Sequence, residues 1–95
     1  MAVTQTDSRI KIEKPTESAL QSLEVERWPI WEKGPATFDW HYDDAETCFF
    51  LEGEVTVKTD RGEVSFGKGD LVTFPKGLSC TWQIKRSVRK HYRFG

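Results

Sequence analysis

Residues 46–77, ETCFFLEGEVTVKTDRGEVSFGKGDLVTFPKG, decide the fold of this chain. Apolar residues such as Val55, Val57, Val64 and Phe66 alternate with polar ones, and the turn segments DRG, GKGD and PKG separate the short apolar runs. Alternation with period two between close turns is typical of antiparallel strands, because successive side chains of a strand point to opposite faces. The stretch therefore predicts a hairpin, followed by a further strand over LVTF.

The rest of the chain continues the strand pattern and adds one short helix. Pro15 and Thr16 precede ESALQSL, which predicts a helix with Thr16 as its N-cap. Further on, the apolar residues of 80–84 and of 88–94 again alternate with polar ones. Several short strands with little helix indicate an all-β fold, namely a small sandwich or barrel of antiparallel strands.

The length of 95 residues suits one domain. Residues 1–14 are expected to form a polar N-terminal arm, in which RIKIE can add an edge strand, and residues 15–95 the single domain. A chain of this size buries only about 60–65 % of the surface that it exposes when unfolded. We therefore expect a homodimer partner to add stability.

Composition limits the classes of partner and compartment. Charged residues make up 31 % of the chain and nearly balance at a net charge of -1, which argues against nucleic acid and anionic membranes as partners. No run approaches the roughly 20 apolar residues of a membrane span. The N-terminus lacks the apolar core of a secretory signal, and Cys48 and Cys80 are expected to be free thiols. A reducing compartment is predicted, either the cytoplasm or an organelle whose targeting segment has been removed.

The C-terminal segment carries a run of basic residues, for which a solvated strand face is the first interpretation and an anion-binding surface the alternative. The run consists of Lys85, Arg86, Arg89, Lys90, His91 and Arg93. Along residues 88–94, His91 falls on the face that alternates with the apolar residues, so it is expected to be exposed to solvent.

Polar residues at 39–46 mark the candidate site. Alternation places Asp39 and His41 on one face of a strand, opposite three aromatic residues, and Glu46 on the face of Cys48 in the next strand. If the Asp39/His41 face lines the interior, the aromatic face needs a cover, either the WPIW segment at 28–31 or a second subunit. Carboxylates and an imidazole inside a barrel must be paired, hydrated or bound to a metal. An interior polar pocket is predicted, with Glu46 and His41 satisfying each other as the alternative to a metal.

These residues resemble the two motifs of the cupin superfamily over nearly the whole chain. The first motif is His-x-His, three or four residues, Glu, six residues, Gly; Asp39 and His41 stand at its histidines, followed by Glu46 and Gly53. The second motif is Gly, five residues, Pro-x-Gly, two residues, His, three residues, Asn. Its framework is matched by Gly69, Pro75 and Gly77, while Cys80 and Ile84 replace its last two residues. The resemblance implies a cupin (jelly-roll) β-barrel of two antiparallel sheets.

Within that superfamily, the chain is similar to the small single-domain cupins grouped with (S)-ureidoglycine aminohydrolase. The similarity lies in the phrases WPIWEKGPATFDW, ETCFFLEGEVTV, KGDLVTFPKGLSCTW and VRKHY. The two-domain enzymes of that name bind manganese, have an acidic residue in place of the first histidine and release ammonia from ureidoglycine. Carried over by motif, the resemblance implies a set of candidate metal ligands, which are Asp39, His41, Glu46 and Cys80.

The donor types of this set suit manganese, iron or zinc, and a thiolate favours zinc, copper or iron over manganese. Glu46 or Cys80 would act as the catalytic group, with a small buried thiol as the alternative for Cys80. Lys76 and Trp82 are candidates for binding a small-molecule substrate, with core packing as the alternative for Trp82. We expect a small cupin with a pocket for a small metabolite and a divalent metal in it. The alternatives are a metal-free binding or structural cupin and a metal-dependent aminohydrolase acting on a ureido or amino acid-like compound.

Overall fold

A computed structural model describes residues 7–95 of the chain, so that residues 1–6 of the expected N-terminal arm lie outside the described part. The elements in chain order are β1 Lys11–Glu13, α1 Glu17–Leu23, a 3-10 turn Val25–Arg27, β2 Ile30–Lys33, β3 Ala36–His41, β4 Glu46–Thr59, β5 Gly62–Gly67, β6 Leu71–Phe74 and β7 Ser79–Phe94. The predicted all-β fold with a short N-terminal helix is confirmed.

Two long strands, β4 and β7, form the centre of the structure. They pair antiparallel along most of their lengths, from Glu46 opposite Phe94 to Lys58 opposite Thr81. β6 pairs with the first part of β4 and carries β1 at its other edge, while β5 pairs with the second part of β4. β2 and β3 pair with the two ends of β7. All seven strands of residues 7–95 are therefore joined in one sheet, in which each long strand pairs with different neighbours along its length.

The bend in β4 lies at its glycine. The register with β7 shifts between Phe50 and Val55, which marks β-bulges around Gly53. Gly53 has a φ of 127°, and a Cβ on Gly67 would lie 2.4 Å from the Gly53 carbonyl oxygen. A Cβ on Gly53 itself would lie 2.9 Å from Val88 Cγ2. Since there is no room for a side chain at either position, the glycine at the end of the first motif allows β4 to curve around the core.

The helix begins as the sequence predicts. The Thr16 side chain accepts a hydrogen bond of 3.1 Å from the Ala19 amide, which satisfies one of the unpaired amides of the first turn. The helix ends at Leu23 and is capped by Glu24, which adopts the left-handed conformation at φ 55°. Among residues 7–95, no helix is long and apolar enough to cross a membrane.

Aromatic side chains fill the core that the curved sheet encloses. Trp82 is buried against Phe66 and Phe74, with ring centroids 5.8 Å away in both cases. The Trp82 indole Nε1 donates a hydrogen bond of 3.1 Å to the Tyr42 hydroxyl, and Tyr42 stacks on Phe74 at 4.8 Å. Alternation left the aromatic face of residues 38–42 outside the barrel on the condition that the Asp39/His41 face lines the interior. Tyr42 of that aromatic face instead lies in the core at 2 % exposure, whereas Trp40 is 46 % exposed.

His91 is a second departure from the sequence-based expectation. Its side chain was expected on the solvated face, whereas the residue is 8 % exposed. Its Nδ1 atom lies 2.9 Å from the carbonyl oxygen of Trp28, which can only accept, so Nδ1 carries the proton in this contact. The segment before β2 covers this part of β7, and alternation within one strand cannot reveal such a cover.

Candidate functional site

The buried Lys90–Glu46 pair is the most unusual polar feature of the interior. Lys90 lies on β7 and Glu46 at the start of β4, and both side chains are 6 % exposed. The Lys90 Nζ atom donates a hydrogen bond of 3.1 Å to Glu46 Oε2. A buried charge must be paired to be tolerated, and the β4–β7 pairing brings both partners to the same face. The sequence-based interpretation of Lys90 as part of a solvated basic face is wrong.

Aromatic rings surround the Lys90 ammonium. Its Nζ atom lies 4.9 Å from the ring centroids of Trp31 and of Trp82, and 5.9 Å from that of Phe50. A cation at these distances is attracted by the electron-rich faces of the rings, and the attraction is strongest for tryptophan. Together with Glu46, the rings hold the ammonium in one position.

A cavity of about 190 Å³ lies against this pair. Its walls are mostly aromatic and contributed by β2, β3 and the two long strands. The lining residues are Trp31, Phe38, Trp40, Tyr42, Glu46, Trp82, Lys90, Tyr92 and Phe94. Trp40 and Phe94 are 46 % and 56 % exposed, so the cavity has a solvent-facing side at these residues. Apolar walls around one charged pair are the usual composition of a small-molecule site.

Cys48 lies behind the ion pair and contacts both of its members, but it does not line the cavity. Its Sγ atom lies 3.2 Å from Glu46 Oε2, to which it donates, and accepts from Lys90 Nζ at 3.2 Å. Burial raises the pKa of Cys48 to about 12, so the side chain is a neutral thiol at ordinary pH. Burial likewise raises the pKa of Tyr42, which stays a neutral phenol in the wall. Lys90 and Glu46 are therefore the charges of the site.

Asp39 and His41 do not lie in this interior. The register of β3 against β7 places Asp39 opposite Thr81 and His41 opposite Ser79, and both candidate ligands are exposed. Asp39 Oδ1 accepts a hydrogen bond of 2.8 Å from Thr81, and His41 Nδ1 lies 2.7 Å from the Ser79 hydroxyl. The expectation that this face lines the barrel is wrong, because cross-strand partners share a face and Trp40, not Asp39, is opposite the buried Cys80.

Cys80 lies between the buried core and the exposed Asp39 and His41, and it does not form a metal-binding group with them. It is 8 % exposed and belongs to the core cluster, and it also borders an open groove shared with Asp39 and His41. Burial, and then the nearby Asp39 carboxylate, raise the pKa of Cys80 to about 11. This is opposite to the lowered pKa that activates a cysteine nucleophile. The catalytic role of Cys80 stays a prediction without structural support.

The four predicted metal ligands do not point toward one common position at which a metal ion could bind. Glu46 is turned inward to Lys90, whereas Asp39 and His41 bond to hydroxyls on the outer surface. Among residues 7–95, no three His, Cys, Asp or Glu side chains are grouped so that they could hold a metal ion. The Lys90 ammonium stands at the interior carboxylate, where a cation would otherwise bind. The residues present therefore do not fit the metal that the cupin motifs imply.

The two predicted substrate-binding residues lie in different places. Trp82 lines the cavity, in addition to its place in the core. Lys76 is exposed in the turn before β7 and is not among the residues that line the cavity. Lys90 was the residue missed by sequence reasoning, although a signal was present: alternation places it on the face of Val88 and Tyr92.

Comparisons with known proteins agree with this architecture. A solved DUF861 family protein from Thermotoga maritima is 56 % identical over 90 % of this chain and 99 % of that one, with a TM-score of 0.89. The EutQ protein of Clostridium difficile and a putative ethanolamine utilization protein Q from Salmonella typhimurium are 26 % and 29 % identical, each with a TM-score of 0.63. No curated protein gives a significant match.

The similarity to the two EutQ proteins covers 68 % of this chain but only 52 % and 53 % of theirs, so this chain spans about half their length. The model of the EutQ-like cupin domain matches residues 20–92, which include every residue that lines the cavity except Phe94. The chain therefore belongs to the EutQ-like cupin domain family, within the cupin superfamily.

Proposed function

We propose that this protein is a metal-free cupin that binds a small metabolite in the aromatic cavity next to the Lys90–Glu46 pair. The observation that carries the proposal is a cavity of about 190 Å³ that combines aromatic walls with one buried ion pair. Drug-sized sites occupy about 300–1,000 Å³, so this smaller volume favours a compact ligand.

The polar end of the cavity indicates which ligand chemistry fits. An ammonium has three donors, and two acceptors are described for Lys90 Nζ, namely Glu46 Oε2 and Cys48 Sγ. The third donor is available to an oxygen of a ligand in the cavity. Since the walls are flat rings, the ligand class that we infer is a small planar compound with a carbonyl or carboxylate oxygen.

The four tryptophans provide a direct test with an internal control. Trp31, Trp40 and Trp82 line the cavity, whereas Trp28 packs in a separate cluster with Val25 and Leu71. Benzoate and benzyl alcohol, titrated into the protein, are expected to shift the indole N–H resonances of the three cavity tryptophans and to leave that of Trp28 in place. Equal shifts at all four, or none at millimolar ligand, would overturn the proposal.

A matched pair of variants tests the location of the binding site. Trp40→Ala removes an exposed wall of the cavity, and we expect a loss of roughly ten-fold in affinity for whichever probe binds, as for one lost aromatic contact. Ile30→Ala removes a similarly exposed apolar side chain that does not line the cavity and is expected to leave the affinity unchanged. Equal effects of the two substitutions would place the binding elsewhere.

The narrower placement beside the ureidoglycine aminohydrolases, with metal-dependent release of ammonia, is a competing proposal. Its support is the motif likeness at residues 39–53. Because the chemistry of those enzymes uses a metal and the four candidate ligands lie apart, the cavity proposal has the stronger geometric support. Ethanolamine utilization is likewise a property of one relative, and the match covers only 53 % of that protein.

Two further expectations are carried forward as proposals. A reducing compartment is supported by the two unpaired thiols, Cys48 and Cys80. A homodimer is supported by the exposed side chains of Ile30, Trp40 and Phe94, since apolar surface of this kind favours burial against a partner. Sedimentation velocity over a range of concentrations tests the dimer, and a single monomeric species throughout would contradict it.

A further inference from the structure

We propose that Lys90 is a nucleophile that binds its ligand covalently, by condensing with the carbonyl carbon of a small planar aldehyde or ketone to form an imine. The inference rests on the proposed function, since it requires that the cavity admit such a compound. It adds a reaction, a reacting atom and a substrate class to the binding site.

The position of Lys90 distinguishes it from the other lysines of the chain. Lys90 is 5 % exposed and lines the cavity, whereas all the other lysines, which also lie within residues 7–95, are exposed to solvent. Its Nζ atom lies among apolar rings, 4.9 Å from the centroids of Trp31 and Trp82. A lysine desolvated in an apolar pocket is the setting in which proteins use the amine as a nucleophile toward carbonyl carbon.

Glu46 supplies the proton transfers that this condensation needs. Its Oε2 atom lies 3.1 Å from Nζ, within the reach required of a general base. Glu46 takes a proton from the ammonium, and the freed lone pair forms a C–N bond with the carbonyl carbon while the carbon–oxygen π electrons move to oxygen. That oxygen receives the proton from Glu46, which gives a carbinolamine that is still protonated on nitrogen.

The second half of the reaction uses the same two residues. Glu46 removes a proton from the carbinolamine nitrogen and passes it to the hydroxyl group. The electron pair freed on nitrogen then forms the C=N bond while the C–O bond breaks to release water. An ammonium with three protons and a carbonyl compound thus become a protonated imine and one water, with no oxidant or reductant. The positive iminium remains beside the Glu46 carboxylate, which keeps the charge pairing of the free site.

The Cys48 thiol is a competing nucleophile, and the structure argues against it. Its Sγ atom touches both Lys90 and Glu46 at 3.2 Å. Donation to the carboxylate keeps the thiol in its neutral form, which is the unreactive one. Cys48 instead accepts a hydrogen bond from Nζ and helps to fix the direction of the amine.

Reductive trapping on the intact protein tests the inference. The protein is incubated with limiting benzaldehyde and sodium cyanoborohydride, and modified lysines are quantified by peptide mass mapping. We expect Lys90 to be modified about ten-fold faster or more than any exposed lysine, because the cavity holds the aldehyde beside the amine. Even labelling of the exposed lysines with Lys90 unmodified would overturn the proposal.

Matched variants separate the amine from its surroundings. Lys85→Arg, at an exposed position of the same strand, should leave trapping at Lys90 unchanged. Glu46→Gln keeps the size of the side chain but removes the base, and it should slow trapping at Lys90 while leaving the exposed lysines at their former rate. A rate at Lys90 that is unaffected by Glu46→Gln would contradict the assigned proton transfers.

Benzyl alcohol distinguishes failure of the covalent step from failure of the binding site, because it fits the same cavity but cannot form an imine. If benzyl alcohol shifts the cavity tryptophans and benzaldehyde does not label Lys90, the covalent inference is wrong and the binding function stands. If neither compound binds, both proposals fall.

Discussion

The Lys90 ammonium and the Glu46 carboxylate lie 3.1 Å apart, and each side chain is only 6 % exposed. A buried pair of this kind has given up the hydration of two charges, which its mutual attraction only roughly offsets. Breaking such a pair is therefore more harmful than removing it as a whole. Denaturation of single and double variants can therefore measure how strongly the two side chains depend on each other.

We expect Lys90→Met to lower the free energy of unfolding by about 3–5 kcal/mol, because it leaves the Glu46 carboxylate buried without a partner. The double variant Glu46→Leu/Lys90→Met removes both charges and is expected to recover most of that loss. Urea unfolding followed by tryptophan fluorescence gives the values. A double variant as unstable as the sum of its single variants would contradict a buried pair.

The salt bridge between Asp7 and Arg9 predicts that the stability of the fold depends on pH. Arg9 donates to the buried Asp7 carboxylate, Nη2 lies 2.6 Å from Asp7 Oδ2, and these bonds hold the pKa of Asp7 far below its usual 3.8. A lowered folded-state pKa stabilises the fold above the unfolded pKa, and that contribution is lost as pH falls through the folded value. The stability difference between wild type and Asp7→Asn should hold from neutral pH to about 4 and shrink below it.

The measurement for Asp7 is thermal unfolding of both proteins between pH 7 and pH 2. Asp60→Asn is the matched control, because Asp60 also contacts Arg9, at 2.8 Å, but is 78 % exposed. An exposed pair contributes little, so we expect a smaller stability loss for Asp60→Asn at every pH. A larger loss than that of Asp7→Asn would refute this account.

The close approach of Gly67 to the Gly53 carbonyl predicts which glycine tolerates a methyl group. A Cβ at Gly67 would lie 2.4 Å from the Gly53 carbonyl oxygen, whereas at Gly34 its nearest neighbour would be Ser87 Oγ at 3.9 Å. Gly67→Ala should lower the free energy of unfolding by about 1–3 kcal/mol, as other overpacked sites do. Gly34→Ala should change the free energy of unfolding little. An equal effect of the two substitutions in chemical denaturation would contradict the close approach of Gly67 to Gly53.

The two cysteines should react slowly with alkylating reagents in the folded protein. Burial raises the pKa of Cys80 to about 11 and that of Cys48 to about 12. Because the thiolate is the reacting form, alkylation by iodoacetamide at pH 7 should be much slower than in the urea-unfolded chain. Native alkylation of Cys80 at the unfolded rate would restore the predicted nucleophile.

Metal loading tests the outward position of His41. Because Asp39 and His41 bond to Thr81 and Ser79 and lie apart from Glu46, we expect wild type and His41→Ala to hold equal amounts of metal after loading with manganese, iron or zinc and removal of the excess. Elemental analysis of untagged protein measures this. Stoichiometric metal in wild type that disappears in the variant would establish the metal site and refute our geometry.

Much of the fold was predictable because its determinants are local. Alternation over residues 54–66 predicts the β4–β5 hairpin, Thr16 predicts the helix start, and the glycines and Pro75 mark the turns of the cupin framework. Each of these signals depends on neighbours a few residues away, so no partner strand had to be known.

The candidate site was predicted less well because it depends on which strands pair and in what register. Glu46 and Trp82, both named from the sequence, line the cavity, whereas Asp39 and His41, which were assigned to the inside, are exposed. Alternation shows that Asp39 and Trp40 point to opposite faces, without showing which face is covered. The covered face is identified by the pairing of Trp40 with the buried Cys80 across β3 and β7, which are strands far apart in the chain.

The sequence by itself determined that the chain forms a small all-β cupin barrel, since strand alternation and glycine-containing turns depend on residues close together in the chain. Only the tertiary structure decided what the interior contains. The pairing of β4 with β7 brings Lys90 to Glu46, and the register of β3 turns His41 outward. A strand's faces acquire an inside and an outside only when other parts of the folded chain cover one of them. Glu46, the carboxylate of the first cupin motif, is thereby paired with an ammonium among aromatic rings.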